Sequence, residues 1–413
     1  MAKKGINETA VENRRVLMRV DFNVPLVGKR ITDDRRIVLS LESVRSVIDR
    51  GGKLILMSHL GRPKGQVRPE LSLRPVSEHL SRLLERPVAF AEDCVGVAAE
   101  RAAEALGHGN VVLLENLRFH AAETLIDKAK KNPDHKPTAE QQAEIDRFAE
   151  GLSRHADLYC NNAFGTCHRK HVSMYDVPKR LGPGRRVCGL LVLKELRFLG
   201  DALRDPARPF AAILGGAKVS DKIGVIAHLL PKVDTILIGG AMAYTFLAAK
   251  GTAPGGSLCE RDRLDLAADL LKKAEGKIRL PADSVCAQTL APGVATRVVS
   301  GDIDDGLKGF DVGPQTVQAF EQVIADAATI LWNGPMGVFE TPPFDAGTLA
   351  VARALAEATR RGATTIIGGG DSAAAVHAAG LDQAMTHIST GGGASLEFLE
   401  GKAFDTIDIL DDR

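Results

Sequence analysis

The chain has 413 residues, more than one hydrophobic core of ordinary size accommodates, so two domains are expected. Apolar residues make up 45% and charged residues 25%, enough to fill two cores beneath an ordinary solvated surface. The formal net charge is +1, so no general field attracts nucleic acid or a membrane, and any basic site must be local. We therefore expect neither nucleic acid nor membranes among the partners.

The six cysteines are scattered and include no Cys-x-x-Cys pair, which favours a reducing compartment over a disulfide framework. Lysines occur in the segment Met1–Thr9, but no apolar stretch follows them, so it is not a secretory signal. The longest uncharged run, Thr235–Ala249, is too short for a bilayer and contains Gly239 and Gly240. These features predict a cytoplasmic protein.

Short apolar runs alternate with longer helical patterns along the chain, which predicts parallel strands covered by helices on both faces. The segment Glu260–Gly276 is the clearest amphipathic helix. Strands are expected at Val16–Val24, Lys53–Ser58, Val88–Ala91, Val111–Glu115, Leu158–Asn161, Phe210–Leu214, Thr235–Ile238, Thr329–Trp332, Thr364–Ile367 and His387–Ser389. The fold class is therefore α/β, with two Rossmann-like three-layer domains and parallel sheets.

Proline and glycine cluster in KRLGPGRR, so we place the domain boundary there, between residues 185 and 186. A helix at about residues 191–202 follows as a linker. The first domain spans residues 1–185, and the second spans residues 186–399. The polar stretch Asp127–Gln142 is interpreted as a surface insertion.

Basic and polar side chains follow the strands of the first half. In open α/β sheets, ligands bind beyond the carboxyl ends of the strands. Guanidinium groups that converge there suit a small, highly charged anion, because each one can bind a phosphate or carboxylate through two hydrogen bonds. The residues concerned are Asp21, Asn23, Arg35, Arg36, His59, Arg62, Arg118, His168, Arg169 and His171.

Glycine occupies the corresponding positions of the second half. Glycine lets backbone N–H groups approach a phosphate closely, and a helix N-terminus behind the turn favours negative charge. The turns are Gly215-Gly216-Ala217-Lys218, Gly239-Gly240, Asn333-Gly334-Pro335, Gly368-Gly369-Gly370-Asp371-Ser372 and Gly391-Gly392-Gly393. Neither a P-loop signature nor an opening Gly-x-Gly-x-x-Gly is present, which argues against a P-loop enzyme and a dinucleotide enzyme.

A basic half and a glycine-rich half indicate an anion on one side, a nucleotide on the other, and phosphoryl transfer between them. Such a transfer needs in-line alignment and neutralised phosphate oxygens, for which Arg36, Lys218 and a metal on Asp371 could supply the charge. Because water must be kept out, we expect two lobes that close on a hinge.

Eight further motifs occur in order over nearly the whole chain: RVDFNVP, SHLGRPKG, ENLRFH, NAFGTCHRKH, GGAKVSDKI, WNGPMGVFE, GGGDSAA and STGGGASLEFLEGK. Together they resemble the phosphoglycerate kinase family. The resemblance implies reversible phosphoryl transfer between 1,3-bisphosphoglycerate and Mg-ADP, giving 3-phosphoglycerate and Mg-ATP. It also implies a C-terminal tail, about residues 400–413, that returns to the first domain.

By the family's pattern, two sets of residues bind the two substrates. The glycerate set is Asp21, Asn23, Arg36, His59, Arg62, Arg118 and Arg169. The nucleotide set is Lys218, Lys222, Gly239, Asn333, Glu340, Gly369, Gly370, Asp371 and Ser372, with Asp371 holding the Mg²⁺ of ADP or ATP. The resemblance further implies that Arg36, Lys218 and the backbone of Gly391, Gly392 and Gly393 steady the moving phosphoryl group. Arg19 is expected to be a structural residue behind the site, and the protein is expected to be a monomer.

The chain departs from the family's pattern at a few positions. Asn162 stands where the family usually has Asp, Ser372 replaces Thr but keeps the hydroxyl, and Cys167 replaces a small residue. The tail Phe404–Arg413 lacks the family's Leu-Pro-Gly.

Three other interpretations remain to be compared with this one. Cys160, Cys167, His168 and His171 could form a zinc cluster, although their spacing matches no usual structural site. A non-catalytic relative would bind a nucleotide or partner only, but Arg36, Lys218 and Asp371 are all present. A nicotinamide dehydrogenase would need the missing glycine fingerprint.

Overall fold

The computed structural model describes residues 2–413, except for the side chains of residues 201 and 202. The chain divides into two compact units. Unit 1 comprises the chain up to Leu196 together with Ala403–Arg413, and unit 2 is Arg197–Lys402. Each unit contains a six-stranded parallel sheet, which confirms the predicted α/β class.

Unit 1 is built on a sheet with the strand order β5-β6-β4-β1-β7-β8. Its central strands are buried on both faces, as the continuous apolar runs predict. A small hairpin, β2–β3, lies outside this sheet. The strands are β1 Arg15–Val20, β2 Leu26–Val27, β3 Arg30–Ile31, β4 Lys53–Met57, β5 Val88–Ala91, β6 Val111–Leu114, β7 Leu158–Asn162 and β8 Arg186–Cys188. The helices are α1 Arg35–Val38, α2 Leu41–Ile48, α3 Arg74–Leu84, α4 Val97–Glu104, α5 Leu125–Ala129, α6 Ala139–Ser153, α7 Asp176–Leu181 and α8 Leu190–Glu195.

Helix α3 illustrates how the helices of unit 1 pack on the sheet. A proline lies in its first turn, where its missing N–H costs no hydrogen bond. Val76, Leu80 and Leu84 repeat every four residues and are buried in the core. Burying each of these side chains contributes about 1.5–3 kcal/mol. The helix ends at Glu85, which is in the left-handed conformation.

Unit 2 is built on a sheet with the strand order β11-β10-β9-β15-β16-β17. Its strands are β9 Phe210–Leu214, β10 Thr235–Ile238, β11 Ile278–Arg279, β12 Asp283–Ala287, β13 Arg297–Ser300, β14 Lys308–Val312, β15 Thr329–Asn333, β16 Thr364–Gly368 and β17 His387–Ile388. Its helices are α9 Ala202–Arg204, α10 Ile223–Leu229, α11 Met242–Ala249, α12 Leu264–Lys273, α13 Pro314–Asp326, α14 Ala346–Arg360, α15 Gly370–Ala378 and α16 Gly393–Leu399.

Unit 2 also contains an antiparallel sheet, β13-β12-β14, that the apolar runs did not predict. Residues of β13 are mostly exposed, so the strand lacks an apolar run. Asp283 in β12 is buried and accepts hydrogen bonds from the backbone of Gln315 (3.0 Å) and Thr316 (2.9 Å). This carboxylate satisfies free N–H groups at the start of α13 and so fixes that helix to the small sheet.

The end of unit 1 differs from the expected boundary at residue 185. The Pro/Gly cluster forms the turn after α7, and the next residues form β8, which pairs with β7 from Tyr159↔Arg186 to Asn161↔Cys188. The helix expected at residues 191–202 begins at Leu190 as α8 and continues as a π-helix over Leu196–Asp201.

The C-terminal tail packs within unit 1, where it forms the short helix α17, Asp405–Asp408. The Lys3 ammonium donates to the carbonyl of Leu410 (2.8 Å) and pairs with Asp412 (3.0 Å). Thr406 donates to the carbonyl of Cys167 (2.5 Å). These contacts show how a tail without Leu-Pro-Gly docks.

Among residues 2–413, none of the helices combines the length and apolar character that crossing a bilayer would require.

Candidate functional site

The site residues of unit 1 follow β6, β4, β1 and β7, which are consecutive neighbours in the sheet. Because these strands are parallel, their carboxyl ends meet at one edge. The sheet order therefore explains why residues far apart in sequence come together.

Asp21 links the residues that follow β1 and β4. Its carboxylate accepts a hydrogen bond from Arg36 at 2.6 Å and lies 3.9 Å from Nδ1 of His59. Asn23 Oδ1 accepts a hydrogen bond from the backbone N–H of Gly61 at 2.9 Å. Asp21 and Asn23 therefore orient the Arg36 and His59 side chains and the turn after β4.

His59 is buried, with 5% of its surface exposed. Burial, followed by the charges of Arg19 and Arg118, holds its pKa well below the usual value. The ring is therefore neutral at pH 7, and its Nδ1 lies 3.1 Å from the Arg19 guanidinium. A neutral imidazole here can donate or accept a hydrogen bond, but it adds no positive charge.

Arg118 lies on a 3₁₀ turn, Leu117–Phe119, directly after β6. Asn116 caps this turn by accepting the backbone N–H of Arg118 at 3.0 Å. The Arg118 guanidinium donates to the carbonyl of Gly61 at 2.8 Å, while its Nε is buried without a partner. Burial, Arg19 and Arg62 lower the pKa of Arg118, so an anion would relieve an electrostatic cost there.

Arg62 is adjacent to Gly61 in the chain and is exposed. The charge of Arg62 contributes to the lowered pKa of Arg118.

Arg169 is also exposed, and it lies 3.6 Å from the carboxylate of Asp127. Asp127 accepts a hydrogen bond from Nε2 of His171 at 3.0 Å. These two partners overcome the opposing effect of burial and keep the pKa of Asp127 well below its usual value. Asp127 therefore pairs with Arg169 in the segment after β7, although the sequence pattern assigned Asp127 to a surface insertion.

Arg19 is fully buried behind these residues. It donates to Ser173 Oγ at 2.9 Å and lies 4.0 Å from the buried carboxylate of Glu123. Ser173 in turn donates to Glu123 at 2.7 Å. Arg19 is thus a structural residue, as expected, whereas Glu123 and Ser173 were missed because no periodic pattern marks a buried polar pair.

In unit 2, the turn after β9 packs against the turns after β10 and β15. A Cβ on Gly215 would lie 2.0 Å from the carbonyl oxygen of Pro335. Gly240 has φ +68°, and a Cβ there would lie 2.5 Å from the backbone nitrogen of Gly216. Only glycine allows these close approaches, which leave backbone amides at the ends of adjacent strands.

Side chains link the same turns. Lys222 hydrogen-bonds Oδ1 of Asn333, and Ser372 Oγ accepts the backbone N–H of Gly334 at 2.6 Å. Burial lowers the pKa of Lys222, and the charge of Asp371 opposes that effect. The Nδ2 atom of Asn333 is buried without a partner, so it is a free donor among these turns.

The remaining residues predicted to bind the nucleotide lie on the same turns or just beyond them. Gly239 follows β10, and a Cβ there would meet Met336. Gly369 precedes α15, whose first residues are Gly370 and the exposed Asp371. Lys218 and Glu340 are exposed, in turns after β9 and β15. Gly391, Gly392 and Gly393 follow β17 and lead into α16.

The loop after β15 is held by two buried groups that the sequence pattern did not identify. Thr348 Oγ1 accepts the backbone N–H groups of Met336 (3.0 Å) and Gly337 (3.3 Å). Asp311 accepts the N–H of Gly347 at 2.7 Å, and its Oδ1 lies 2.3 Å from where a Cβ on Gly337 would be. These groups fix the loop that carries Glu340.

The Asp311 carboxyl should make the stability of unit 2 depend on pH. Burial raises its pKa to about 7 from an ordinary 3.8. The folded state then binds the proton more tightly than the unfolded state does. Protonation of Asp311 therefore adds to the free energy of unfolding. This contribution is complete below the unfolded pKa, declines as pH rises, and is lost above about pH 7.

We therefore expect wild type to lose more unfolding free energy than Asp311→Asn between pH 5 and pH 8, taking about 7 as the folded pKa. Urea unfolding followed by fluorescence of Trp332, the only tryptophan, measures this in unit 2. The exposed Asp305 provides the control, since Asp305→Asn should keep the wild-type pH dependence. An equal change in wild type and Asp311→Asn would contradict the assignment.

Asn162, which departs from the family's usual Asp, lies at the end of β7 and is 1% exposed. Its Oδ1 accepts hydrogen bonds from Ser43 Oγ (2.7 Å) and the backbone N–H of Leu191 (3.2 Å). An Asp side chain has the same acceptor atom. Asn162 therefore anchors the start of α8, and both of these hydrogen bonds require only a side-chain oxygen as acceptor, which Asn and Asp share.

The alternative zinc cluster of Cys160, Cys167, His168 and His171 is not formed. Within residues 2–413, three or more His, Cys, Asp or Glu side chains have donor atoms within 4.8 Å of one another only at Asp93, Cys94 and His120.

The sequence and the fold were compared with known proteins. The family model "Phosphoglycerate kinase" matches residues 6–402. Phosphoglycerate kinases of Chlorobium phaeobacteroides and Rhodopirellula baltica are each 51% identical over 417 residues, covering 100% of both chains.

Two solved structures have the same fold. The phosphoglycerate kinase of Coxiella burnetii aligns with a TM-score of 0.85 at 36% identity and covers 98% of each chain. That of Pyrococcus horikoshii aligns with a TM-score of 0.80 at 29% identity, over 99% of this chain and 98% of the other. Sequence and fold therefore agree, and the chain belongs to the phosphoglycerate kinase family.

Proposed function

We propose that this chain catalyses reversible transfer of a phosphoryl group between the acyl phosphate of 1,3-bisphosphoglycerate and ADP, giving 3-phosphoglycerate and ATP. The observation that carries the proposal is the contrast between the two units. Strand ends of unit 1 gather guanidinium groups, whereas strand ends of unit 2 form turns rich in glycine and backbone amides. Membership of a phosphotransferase family that acts in glycolysis supports the same reaction.

Unit 1 is proposed to bind the glycerate substrate. Arginine recognises phosphate and carboxylate through paired hydrogen bonds, and the partly buried Arg118 has an unused donor at Nε. The neutral His59 and the carboxylate of Asp21 can hydrogen-bond the hydroxyl group of a glycerate. The full set proposed is Asp21, Asn23, Arg36, His59, Arg62, Arg118 and Arg169.

Unit 2 is proposed to bind the nucleotide. Its phosphates would meet the amides before α15, where the helix dipole favours negative charge, and the ammonium groups of Lys218 and Lys222. Glu340 is proposed to accept hydrogen bonds from the ribose hydroxyls. The full set proposed is Lys218, Lys222, Gly239, Asn333, Glu340, Gly369, Gly370, Asp371 and Ser372.

The residues present also fit a magnesium ion carried by the nucleotide. Mg²⁺ usually takes one or two protein carboxylates together with substrate phosphates and water. Asp371 offers an exposed carboxylate in the first turn of α15, beside the proposed phosphate position. When bound, the ion would neutralise charge on the phosphate oxygens.

The transfer needs no protein group to move a proton. The attacking oxygen belongs to the terminal phosphate of ADP, and the leaving group is the carboxylate of 3-phosphoglycerate, so both are anionic. Catalysis then rests on alignment and on charge stabilisation, which we assign to Arg36, Lys218 and the amides of Gly391, Gly392 and Gly393. Because both substrates must meet with water excluded, we propose that the units move together by hinge bending during each cycle.

We further propose that the enzyme acts in the cytoplasm as a monomer, with small molecules as its only substrates. Its six cysteines are all unpaired in the structure, which suits a reducing compartment.

A coupled assay of ATP formation tests the reaction. Supplied with 1,3-bisphosphoglycerate, ADP and Mg²⁺, the purified chain should form ATP, and removal of Mg²⁺ with EDTA should abolish turnover. Intact ADP binding with no ATP formation in the complete mixture would instead favour the non-catalytic alternative.

Replacing Arg118 by Ala should mainly raise the apparent KM for 3-phosphoglycerate. Hydrogen bonds to charged groups contribute about 1.5–3 kcal/mol, so the expected increase is roughly tenfold to a hundredfold. Steady-state kinetics in the direction of ADP formation measure it. Arg68→Ala is a matched control because that exposed arginine follows β4 and its guanidinium makes a single hydrogen bond within the described part of the chain, to Gln66 at 3.5 Å. An unchanged KM in Arg118→Ala would remove Arg118 from the anion site.

A further inference from the structure

Asp93, Cys94 and His120 form a compact group of potential metal ligands in unit 1 that the phosphoryl-transfer chemistry does not use. One donor atom from each side chain lies within 4.8 Å of the other two. The group combines a carboxylate, a thiol and an imidazole, which is a set of ligands that zinc accepts.

The sheet brings these residues together. Asp93 and Cys94 follow β5, and His120 follows the 3₁₀ turn after β6. Strands β5 and β6 are parallel neighbours, from Val88↔Val111 to Ala91↔Leu114. Their carboxyl ends therefore place the two segments side by side at the edge of the sheet.

The carboxylate of Asp93 and the imidazole of His120 are held in place before any metal binds. Nε2 of His120 lies 2.7 Å from Oδ1 of Asp93, and the imidazole stacks on Phe148 with ring centroids 4.9 Å apart. The backbone N–H of Cys94 donates to the same carboxylate oxygen at 2.6 Å. Burial opposes ionisation of Asp93, but these hydrogen bonds outweigh it and lower the pKa of the carboxyl.

The simpler explanation is a His–Asp ion pair beside a buried thiol. Cys94 has no exposed surface, and its sulfur lies within 4.8 Å of a donor atom of each partner, which an ion pair alone does not require. Ligands at about 2.0–2.3 Å from a tetrahedral zinc lie roughly 3.3–3.6 Å apart, so shifts of about 1 Å would complete the geometry.

We propose that Asp93, Cys94 and His120 bind one Zn²⁺ ion, with water in the fourth position. Thiolate and imidazole ligands select zinc over magnesium, which prefers oxygen ligands only. As the Zn–S bond forms, the thiol of Cys94 releases its proton to solvent.

The site is separate from the proposed Mg²⁺ position, which lies on Asp371 in unit 2. None of its three residues belongs to the proposed anion-binding set, although His120 directly follows the turn that carries Arg118. Zinc binding can therefore be measured without nucleotide and without reference to turnover.

Cobalt substitution and zinc titration of the full chain test the proposal. After metal removal with EDTA and dialysis, Co²⁺ should give a thiolate-to-cobalt charge-transfer band and intense visible bands typical of tetrahedral coordination. Titration against a chromophoric zinc indicator should show one tight equivalent of Zn²⁺, and excess Mg²⁺ should not displace it.

Cys94→Ala should abolish the charge-transfer band and weaken zinc binding by at least about tenfold, the lower end of ligand-shell effects. Asp93→Asn should weaken zinc binding but keep the charge-transfer band. This second variant still tests the site if Cys94→Ala fails to fold. Cys160→Ala is the matched control, since this buried cysteine belongs to the rejected cluster and should leave both readouts unchanged.

Absence of tight zinc binding in wild type would overturn the proposal. The proposal also fails if Cys94→Ala, still folded by circular dichroism, binds zinc as wild type does, or if Cys160→Ala removes the band.

Discussion

Replacing Arg36 by Ala should lower kcat for ATP formation by about 10²–10³-fold, the loss expected when one stabilising donor is removed from a transition state. Arg36 is only partly buried and is fixed by Asp21 at 2.6 Å, so its guanidinium is oriented but not enclosed. Its charge should count most when negative charge spreads over the moving phosphoryl group. The dissociation constant of ADP, measured by calorimetry, should change little.

The neighbouring Arg35 provides a matched control for this experiment. It lies on the same short helix, but its guanidinium hydrogen-bonds Asp33 (Nε–Oδ1, 2.9 Å). Arg35→Ala should therefore keep kcat close to wild type. If Arg36→Ala retains wild-type kcat, or loses ADP affinity as strongly as turnover, the proposed role of Arg36 is wrong.

Replacing Gly215 by Ala should destabilise unit 2 by about 2–4 kcal/mol, because a new methyl group in a filled space forces the backbone to move. The added Cβ would lie 2.0 Å from the carbonyl oxygen of Pro335 and 2.7 Å from that of Gly334. Neither neighbour is a flexible side chain, so the turns after β9 and β15 must separate. Nucleotide affinity should also fall, because these turns carry residues proposed to bind the nucleotide.

Urea unfolding followed by Trp332 fluorescence measures this loss, since Trp332 lies on β15 directly before the affected turn. Gly306→Ala is the control because a Cβ there meets nothing within 4 Å. Equal unfolding midpoints for Gly215→Ala and Gly306→Ala would mean that the turns can separate at little cost, which contradicts the packing described.

Much of the fold was predictable because most of its strands are buried on both faces. Such strands are apolar at nearly every position, so Phe210–Leu214 and Thr235–Ile238 were found with the observed ends. The edge strand Val88–Ala91 is only partly buried but is also apolar throughout, and its ends were predicted as well. Strand β8 and the sheet of β12, β13 and β14 were missed. Strand β8 is only three residues long, β12 and β14 interrupt their apolar residues with buried Asp283, Ser284 and Asp311, and β13 is mostly exposed, so none of them shows a continuous apolar run.

The residues of the candidate site also include some that the sequence predicts and some that it does not. Arg36, Arg118 and Lys218 could be predicted as site residues because they follow apolar strands or glycine turns, and parallel strands end at one edge. Lys222 was predicted only through the family resemblance. Glu123, Asp127 and Asp311 could not, since their roles depend on partners distant in sequence. Glu123, for example, binds Ser173, and Asp127 binds His171. A single sequence shows no pattern that joins such pairs.

The division of substrates between the two units is the central claim. A crystal structure of the chain with 3-phosphoglycerate and Mg-ADP bound tests it most directly. We predict that 3-phosphoglycerate contacts Arg36 and Arg118, and that the ADP phosphates contact Lys218 and the backbone at the start of α15. Density for 3-phosphoglycerate on the glycine turns of unit 2, or for ADP on the arginines of unit 1, would contradict the account.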